Sequence, residues 1–459
     1  MLPVEVLLNN LFSLLLLSIL QTTEGPISDL DEISTTRPPD MVFYFCGVAC
    51  IRPLTAMSTS NNFLVAEAQL ELDQARKAKA ERTKSLGDPL ELPGKALAIE
   101  VRDGIAWIAE NTTVIRKLEL ESGKTLQLFK GHTGPVTALT FCDRVFRSGD
   151  NEILVTGSWD KSIKLWDTTT KQLLSSTANA HDDFVKSLHV FPSLHLLVSG
   201  SSDKIVRFWD ISNPESTESL KSLGSISSHT RPVECLDGQA LSDTSAVLYT
   251  GDTMGVIKVW DLEKDSSSLP RWNARLRSTI NHHRTRINEL RYGGGNLWTA
   301  SADETVRILP EELPNATKVK ANPPKPVEHP VAVRAILPLP LTNLSEPYLL
   351  TAAGDILRTY DISDPSNPEL LGEVDAHWHD ITAIRLWVRR TTGEDGKTRV
   401  EPWIITTSLD QTIRKWKLTE LLNPPPPAPK PTEEKPIAPP SNSGLTEEEE
   451  LVLAELMDD

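Results

Sequence analysis

The stretch Leu154–Asp167, LVTGSWDKSIKLWD, constrains this chain more than any other because it recurs. A β-rich run meets Gly157 and Ser158, turns tightly at Asp160-Lys161, and returns from Ile163 to Trp166 before closing on Asp167. The frame reappears as LVSGSSDKIVRFWD (Leu197–Asp210), and more loosely as LYTGDTMGVIKVWD (Leu248–Asp261) and ITTSLDQTIRKWK (Ile405–Lys417). Aligning the turns extends the Trp position to Leu118, Trp166, Trp209, Trp260, Leu309, Tyr360 and Trp416, at intervals of 48, 43, 51, 49, 51 and 56 residues. A second ladder runs in step. His132, His181, His229, His283, His329 and His377 each stand four residues before the first apolar residue of a new strand, spaced 49, 48, 54, 46 and 48 apart. Two ladders with one period define a structural repeat.

These signatures resemble the WD-repeat family. The resemblance implies an all-β, seven-bladed β-propeller whose blades are four-stranded sheets of about 40–45 residues, with the excess length in loops. It also implies a buried hydrogen-bonded chain in which the His joins a Ser or Thr, an Asp and the Trp. His132, Thr156, Asp160 and Trp166 match that chain, as do His181, Ser199, Asp203 and Trp209. The other repeats depart from it: Met254 stands in place of the Asp, and Leu309 and Tyr360 in place of the Trp. Such a network is worth having only if every member is satisfied, so the departing blades are expected to rely on apolar packing and to be softer. So many histidines invite a metal-site reading. Each belongs to its own repeat, however, and neighbours in the ladder stand too far apart to share an ion.

The net charge is −16, of which the last 39 residues supply −7 through nine acids against Lys430 and Lys435. The repeat body is therefore only mildly acidic, and DNA is not an expected partner. Four cysteines are too few and scattered for a disulfide framework. Cys142 and Cys235 read as small core residues in strands, and Cys46-x3-Cys50 has no second ligand pair for zinc.

Taken in order, residues 1–56 read as an apolar leader or an extension outside the working protein. Leu11–Leu20, LFSLLLLSIL, has the length of a signal core, but the first basic residue is Arg37, so no positive region precedes it. Met57 reads as an ordinary start, while a secretory signal and an unusual membrane anchor stay open as readings of Leu11–Leu20. Residues 57–88 form a helical segment, with a helix over Phe63–Lys84 whose Phe63, Ala66, Leu70 and Gln74 share a stripe. Its basic run, Arg76-Lys77-x-Lys79, reads as a solvated face. The propeller occupies 89–420. Gly293-Gly294-Gly295 reads as a hairpin turn, since no helix follows to cradle a phosphate. Arg389–Pro402 reads as an insertion loop. After Trp416 the chain runs into Pro424–Pro427, which cannot form a strand, so the last blade needs an outer strand from around Pro89–Leu92. Residues 421–444 are a proline-rich linker. Residues 445–459 read as an acidic helix, with a capping box at Thr446 and Glu449 and apolar anchors at Leu453, Leu456 and Met457 for a partner with a basic-rimmed groove; the alternative is a merely solubilising acidic tail.

No G-x-S-x-G, H-E-x-x-H or Walker loop is present; no catalytic residues, cofactor or metal are expected. What the resemblance implies is a noncatalytic protein-interaction scaffold assembling an intracellular complex, cytoplasmic or nuclear, with a peptide on a propeller face and a second partner on the acidic tail. The alternative is a secreted or lumenal binding propeller. Membership of an RNA–protein complex stays open, and no membrane partner is expected. Cullin-ligase receptors of this family carry Arg where this chain has Thr169, Ser212 and Glu263.

Overall fold

Second strands such as Leu196–Ser201 are buried at every residue, whereas third strands such as Ile163–Asp167 alternate more, as expected when a sheet is sandwiched between two others. That pattern repeats around the molecule. The computed structural model describes residues 60–143, 152–265, 271–310, 325–392 and 398–423. Of the two units into which the chain divides, Met1–Phe63 lies almost wholly outside those residues, and Leu64–Asp459 carries the repeats. Cys46, Cys50, the linker beyond Asn423 and the proposed anchors Leu453, Leu456 and Met457 also lie outside the described residues, while Leu421 and Leu422 end a short helix, Leu418–Leu422.

Seven four-stranded antiparallel sheets form. The seven Trp-position residues all fall in third strands, opposite an apolar residue of the second: Trp166 faces Leu154, Trp209 faces Leu197, and Tyr360 faces Leu349. Leu118 and Leu309 hold the same place against Ala106 and Leu297. The core is divided into seven apolar clusters, each filling the seam between neighbouring sheets. Trp107, Phe129, Phe141 and Trp166 fill the seam of blades one and two. Leu92, Ile108, Leu118, Trp387, Ile405 and Ile413 fill that of blades seven and one, which closes the ring. First strands lie innermost, each packed against the first strand of the next blade. This is a seven-bladed β-propeller.

The ring closes through its N-terminal side. Leu90–Glu91 adds the fourth strand of blade seven, pairing Leu90 with Ile413 and Glu91 with Thr412, and the Leu92 N–H donates to the Gln411 carbonyl at 2.8 Å. Gly87 makes this entry sterically feasible: its φ is +66°, and a Cβ there would lie 2.6 Å from the Trp416 ring.

The N-terminal helix spans Ser60–Thr83. Of the residues read as its stripe, Leu70 is 60% exposed and Gln74 is exposed, while the side chains of Phe63 and Ala66 lie outside those described. The helix is held by charges at its C-terminal end. Lys79 pairs with Asp355 at 2.6 Å and with Asp375, which Arg82 also engages. Buried Arg414 donates to the carbonyls of Thr83 and Leu86, the latter at 2.7 Å, satisfying acceptors that a helix end leaves free. The basic run is thus divided: Arg76 is a solvated residue beside Asp73, and Lys79 is a docking residue.

Two loop expectations resolve differently. Gly294 and Gly295 make a two-residue hairpin turn with φ of +58° and +72°, closed by Gly293 opposite Asn296. The Arg389–Pro402 stretch does not loop out where it is described. It lengthens a hairpin of Ile381–Thr392 and Thr398–Ser408, whose rungs run out to Thr392 opposite Thr398. Its alternating, β-branched residues favour strand continuation, and Trp387 packs near Trp403 at 6.1 Å.

Candidate protein-interaction face

The loop before each first strand places its histidine where the preceding sheet ends, buried beside the second and third strands. In blade two, His132 Nδ1 meets Asp160 Oδ2 at 2.8 Å and Nε2 meets Thr156 Oγ1 at 2.8 Å, while Trp166 Nε1 donates to that hydroxyl at 2.9 Å. Burial pushes the Asp160 carboxyl up, but hydrogen bonds from His132 and Ser162 outweigh it and hold the group well below the usual carboxylate range. Blade three repeats this with His181, Asp203 (2.9 Å), Ser199 (2.7 Å) and Trp209 (2.8 Å). Against the same burial, His181 holds the Asp203 carboxyl down at about 2.

Two further blades carry the complete chain, contrary to the expectation that only blades two and three do. In blade four the carboxylate is Asp252, two residues before Met254, at 3.2 Å from His229; Thr250 and Trp260 complete it at 2.7 and 3.0 Å. The carboxylate reaches the same place because its turn is rebuilt, with the Met254 and Val256 N–H groups donating back to Asp252. In blade seven, His377, Asp410, Thr406 and Trp416 are linked at 2.8, 2.9 and 3.0 Å. Blade five lacks only the indole: His283 meets Asp303 at 3.1 Å and Thr299 at 2.8 Å.

Blades six and one differ more. His329 bonds Thr351 at 2.8 Å and stacks on Tyr360 at 5.7 Å, but its Nδ1 has no partner among the described residues. The cause is a shorter turn. Ala353 pairs with Ile356, so Asp355 lies in a two-residue hairpin turn and faces Lys79. Burial and then Arg358 lower the His329 pKa to about 4. In blade one, Leu92, Ile108 and Leu118 take the places of His, Thr and Trp, all buried in one cluster.

Strand pairing puts the outer ends of these networks on one face. The start of a first strand pairs with the end of the second (Val185 with Ser201), and the start of the third with the end of the fourth (Val206 with Ile226). Loops entering first strands and turns entering third strands therefore open together. There Trp159, 38% exposed, stacks on Phe184 at 4.8 Å and 16°. The Lys186 ammonium lies 5.6 Å from the Trp159 ring, its pKa lowered by burial and by Arg286 against the pull of Glu234. Arg286 pairs with Glu234 at 2.7 Å, carrying the patch from blade two to blade five, and Arg231 and Arg284 stand exposed on the entering loops. Pattern reading passed over this patch because Trp159 and Phe184 belong to different repeats. An aromatic residue in a turn otherwise filled by small or polar residues was the available signal.

Comparison with known proteins agrees with this geometry. The family model for the WD domain, G-beta repeat, matches residues 123–167 and 172–210, which cover blade two and most of blade three. A WD repeat-containing protein of Schizosaccharomyces pombe (strain 972 / ATCC 24843) is 28% identical over 423 residues, covering 88% of this chain and 100% of its own length. The chain carries WD repeats. A stretch of 137 residues is also similar to part of the ribosome biogenesis protein YTM1 of Coccidioides immitis (strain RS), 30% identical over 30% of this chain and 27% of that protein. The COMPASS component SWD3 of Saccharomyces cerevisiae (strain ATCC 204508 / S288c) is 35% identical over 30% of this chain and 41% of that protein. This chain thus spans less than half of either of these two relatives.

Inside the ring of WD repeats, charges pair with one another. Arg385 of blade seven reaches Glu100 of blade one at 3.1 Å and Glu289 of blade five at 3.3 Å. Glu289 also holds Arg291 at 2.8 Å and accepts the Ile336 N–H at 2.8 Å. These carboxylates tie the innermost strands together. Among the described residues no three metal-capable side chains converge, and no helix is long and apolar enough to cross a membrane. Cys142 and Cys235 are buried free thiols, with burial pushing Cys142 up to about 12, so neither is activated.

Proposed function

We propose that this WD-repeat protein is a noncatalytic scaffold that assembles an intracellular multiprotein complex in the cytoplasm or nucleus. The face bearing Trp159, Phe184 and Lys186 receives a peptide or loop of a protein partner, and residues 445–459 act as a second docking element through Leu453, Leu456 and Met457. The supporting observation is the exposed aromatic stack with cations beside it. Aromatic and arginine side chains supply most hot spots in protein interfaces, and a flat ring held rigid by a neighbour loses little entropy on binding. Among the described residues, Arg385 pairs with Glu100 and Glu289 across the inner strands, which suits a structural role. Two relatives carry names that place them in ribosome biogenesis and in COMPASS, which supports membership of an assembly without choosing one. Affinity purification of the tagged full chain, beside its Trp159→Ala variant, tests the reading. We expect stoichiometric partners with the parent chain and loss of at least one with the variant. A chain that purifies alone would overturn it.

A further inference from the structure

The face around Trp159 has a chemical complement within the same chain. It offers a flat apolar platform, Trp159 on Phe184, with Lys186 over the Trp159 ring and Arg286 held on Glu234, while Arg231 and Arg284 stand exposed on loops that open on the same face. Of the acids nearby, Glu234 is engaged by Arg286 at 2.7 Å and Asp182 by Arg207 at 3.4 Å, while Asp183 accepts the Phe184 N–H at 2.8 Å. A ligand for such a surface carries carboxylates on either side of aliphatic anchors. Residues 445–459, LTEEEELVLAELMDD, have seven acids, no base, and Leu453, Leu456 and Met457 between the two acidic clusters.

We infer that the acidic segment 445–459 docks on the Trp159–Arg286 face of its own ring and occupies it until a protein partner displaces it; this rests on reading that face as the docking surface. Geometry permits it. The described chain ends at Asn423, and residues 424–444 can extend about 65 Å at 3.1 Å per residue, against about 50 Å for the width of a compact body of this size. Electrostatics favour the same place. The net charge of −16 less the −7 of the last 39 residues leaves a body of −9, which repels an acidic segment on average, so clustered cations select where it settles. Tethering does the rest: a link whose reach matches the span gives an effective concentration on the order of millimolar, enough for a weak contact to be mostly formed.

The probe is a synthetic peptide of residues 445–459 carrying a fluorophore, followed by anisotropy against the purified intact chain and against the chain ending at Gly444. The shortened chain is expected to bind the peptide, and the intact chain about tenfold or more weakly because its own segment competes. Trp159→Ala, and separately Arg231→Glu with Arg284→Glu, should each weaken peptide binding to the shortened chain by about tenfold. Thermal melting confirms that these exposed changes leave the ring folded. Raising salt from about 0.05 to 0.5 M should weaken binding further. Equal binding to both chains, or none to the shortened one, overturns the inference. So does a concentration-dependent dimer of the intact chain that is lost on shortening, which would put the segment on a second copy. None of these outcomes bears on whether the tagged chain captures partners, so the scaffold reading stands or falls separately.

Discussion

Blade three and blade one hold equivalent places in the ring and fill the same buried positions in opposite ways. Blade three uses His181, Ser199, Asp203 and Trp209, every side-chain polar atom of which has a partner within 2.9 Å. Blade one uses Leu92, Ile108 and Leu118, with no polar atom to satisfy. Both are internally consistent, because low dielectric strengthens a complete hydrogen-bonded chain and penalises an incomplete one. Blade six lies between them. It keeps His329 and Thr351, loses the carboxylate to a shortened turn, and leaves Nδ1 bare. Softness is therefore expected chiefly of blade six, since blades four and seven complete the chain, blade five lacks only the indole, and blade one replaces it.

The largest break in this comparison should come from Asp203→Ala. It strips His181 Nδ1 and the N–H groups of Asp182 and Ile205 of their acceptor, and should cost about 2–3 kcal/mol by denaturant unfolding. An unchanged midpoint would mean that the network contributes nothing. Next, Ile108→Thr in blade one places a hydroxyl among Leu92 and Leu118 with no histidine to meet it; about 1–2 kcal/mol of stability should be lost. The same change would be benign if a partner were available there.

Acid titration sharpens the contrast further. The His329 pKa is lowered to about 4, so the unfolded chain takes up a proton near pH 6.5 that the fold resists. That stability is complete above pH 6.5 and is lost as pH falls towards 4, because the unfolded state binds more protons. A His329→Phe variant should show a flatter dependence over that window. Asp203, held at about 2, acts lower on the scale: its contribution is complete above about 4 and fades as pH falls through 2. The smallest effect expected is that of Lys79→Ala. It removes a partly exposed pair with Asp355 and Asp375 and should cost about 0.5–1 kcal/mol, seen as faster proteolysis of the helix before any change in global unfolding.

Much of this was legible in the chain because the repeat writes its geometry into spacing. The Trp and His ladders located all seven third strands, and Pro424–Pro427 foretold that Leu90–Glu91 would complete blade seven. Spacing failed where a turn changed length or shape. Asp252 was hidden because it stands two residues ahead of its usual place, and blade seven was passed over although its Asp410 and Trp416 keep the normal interval. The seating of the N-terminal helix was illegible for another reason: periodicity detects an apolar face, whereas a few charges and a carbonyl-capping arginine hold this helix. The Trp159 face was missed because it joins side chains from four repeats, a proximity that no local pattern records.

The two-residue strand Leu90–Glu91 finds its partner Ile413 only after more than 300 intervening residues have been made. At about 5–20 residues per second, synthesis leaves that short stretch waiting roughly 15–60 s with nothing to pair with. During that interval the nascent chain is an open arc of finished blades with bare edges at both ends. A cell making this protein must therefore shield those edges from neighbouring chains until the strand Thr412–Lys417 emerges and turns the arc into a ring.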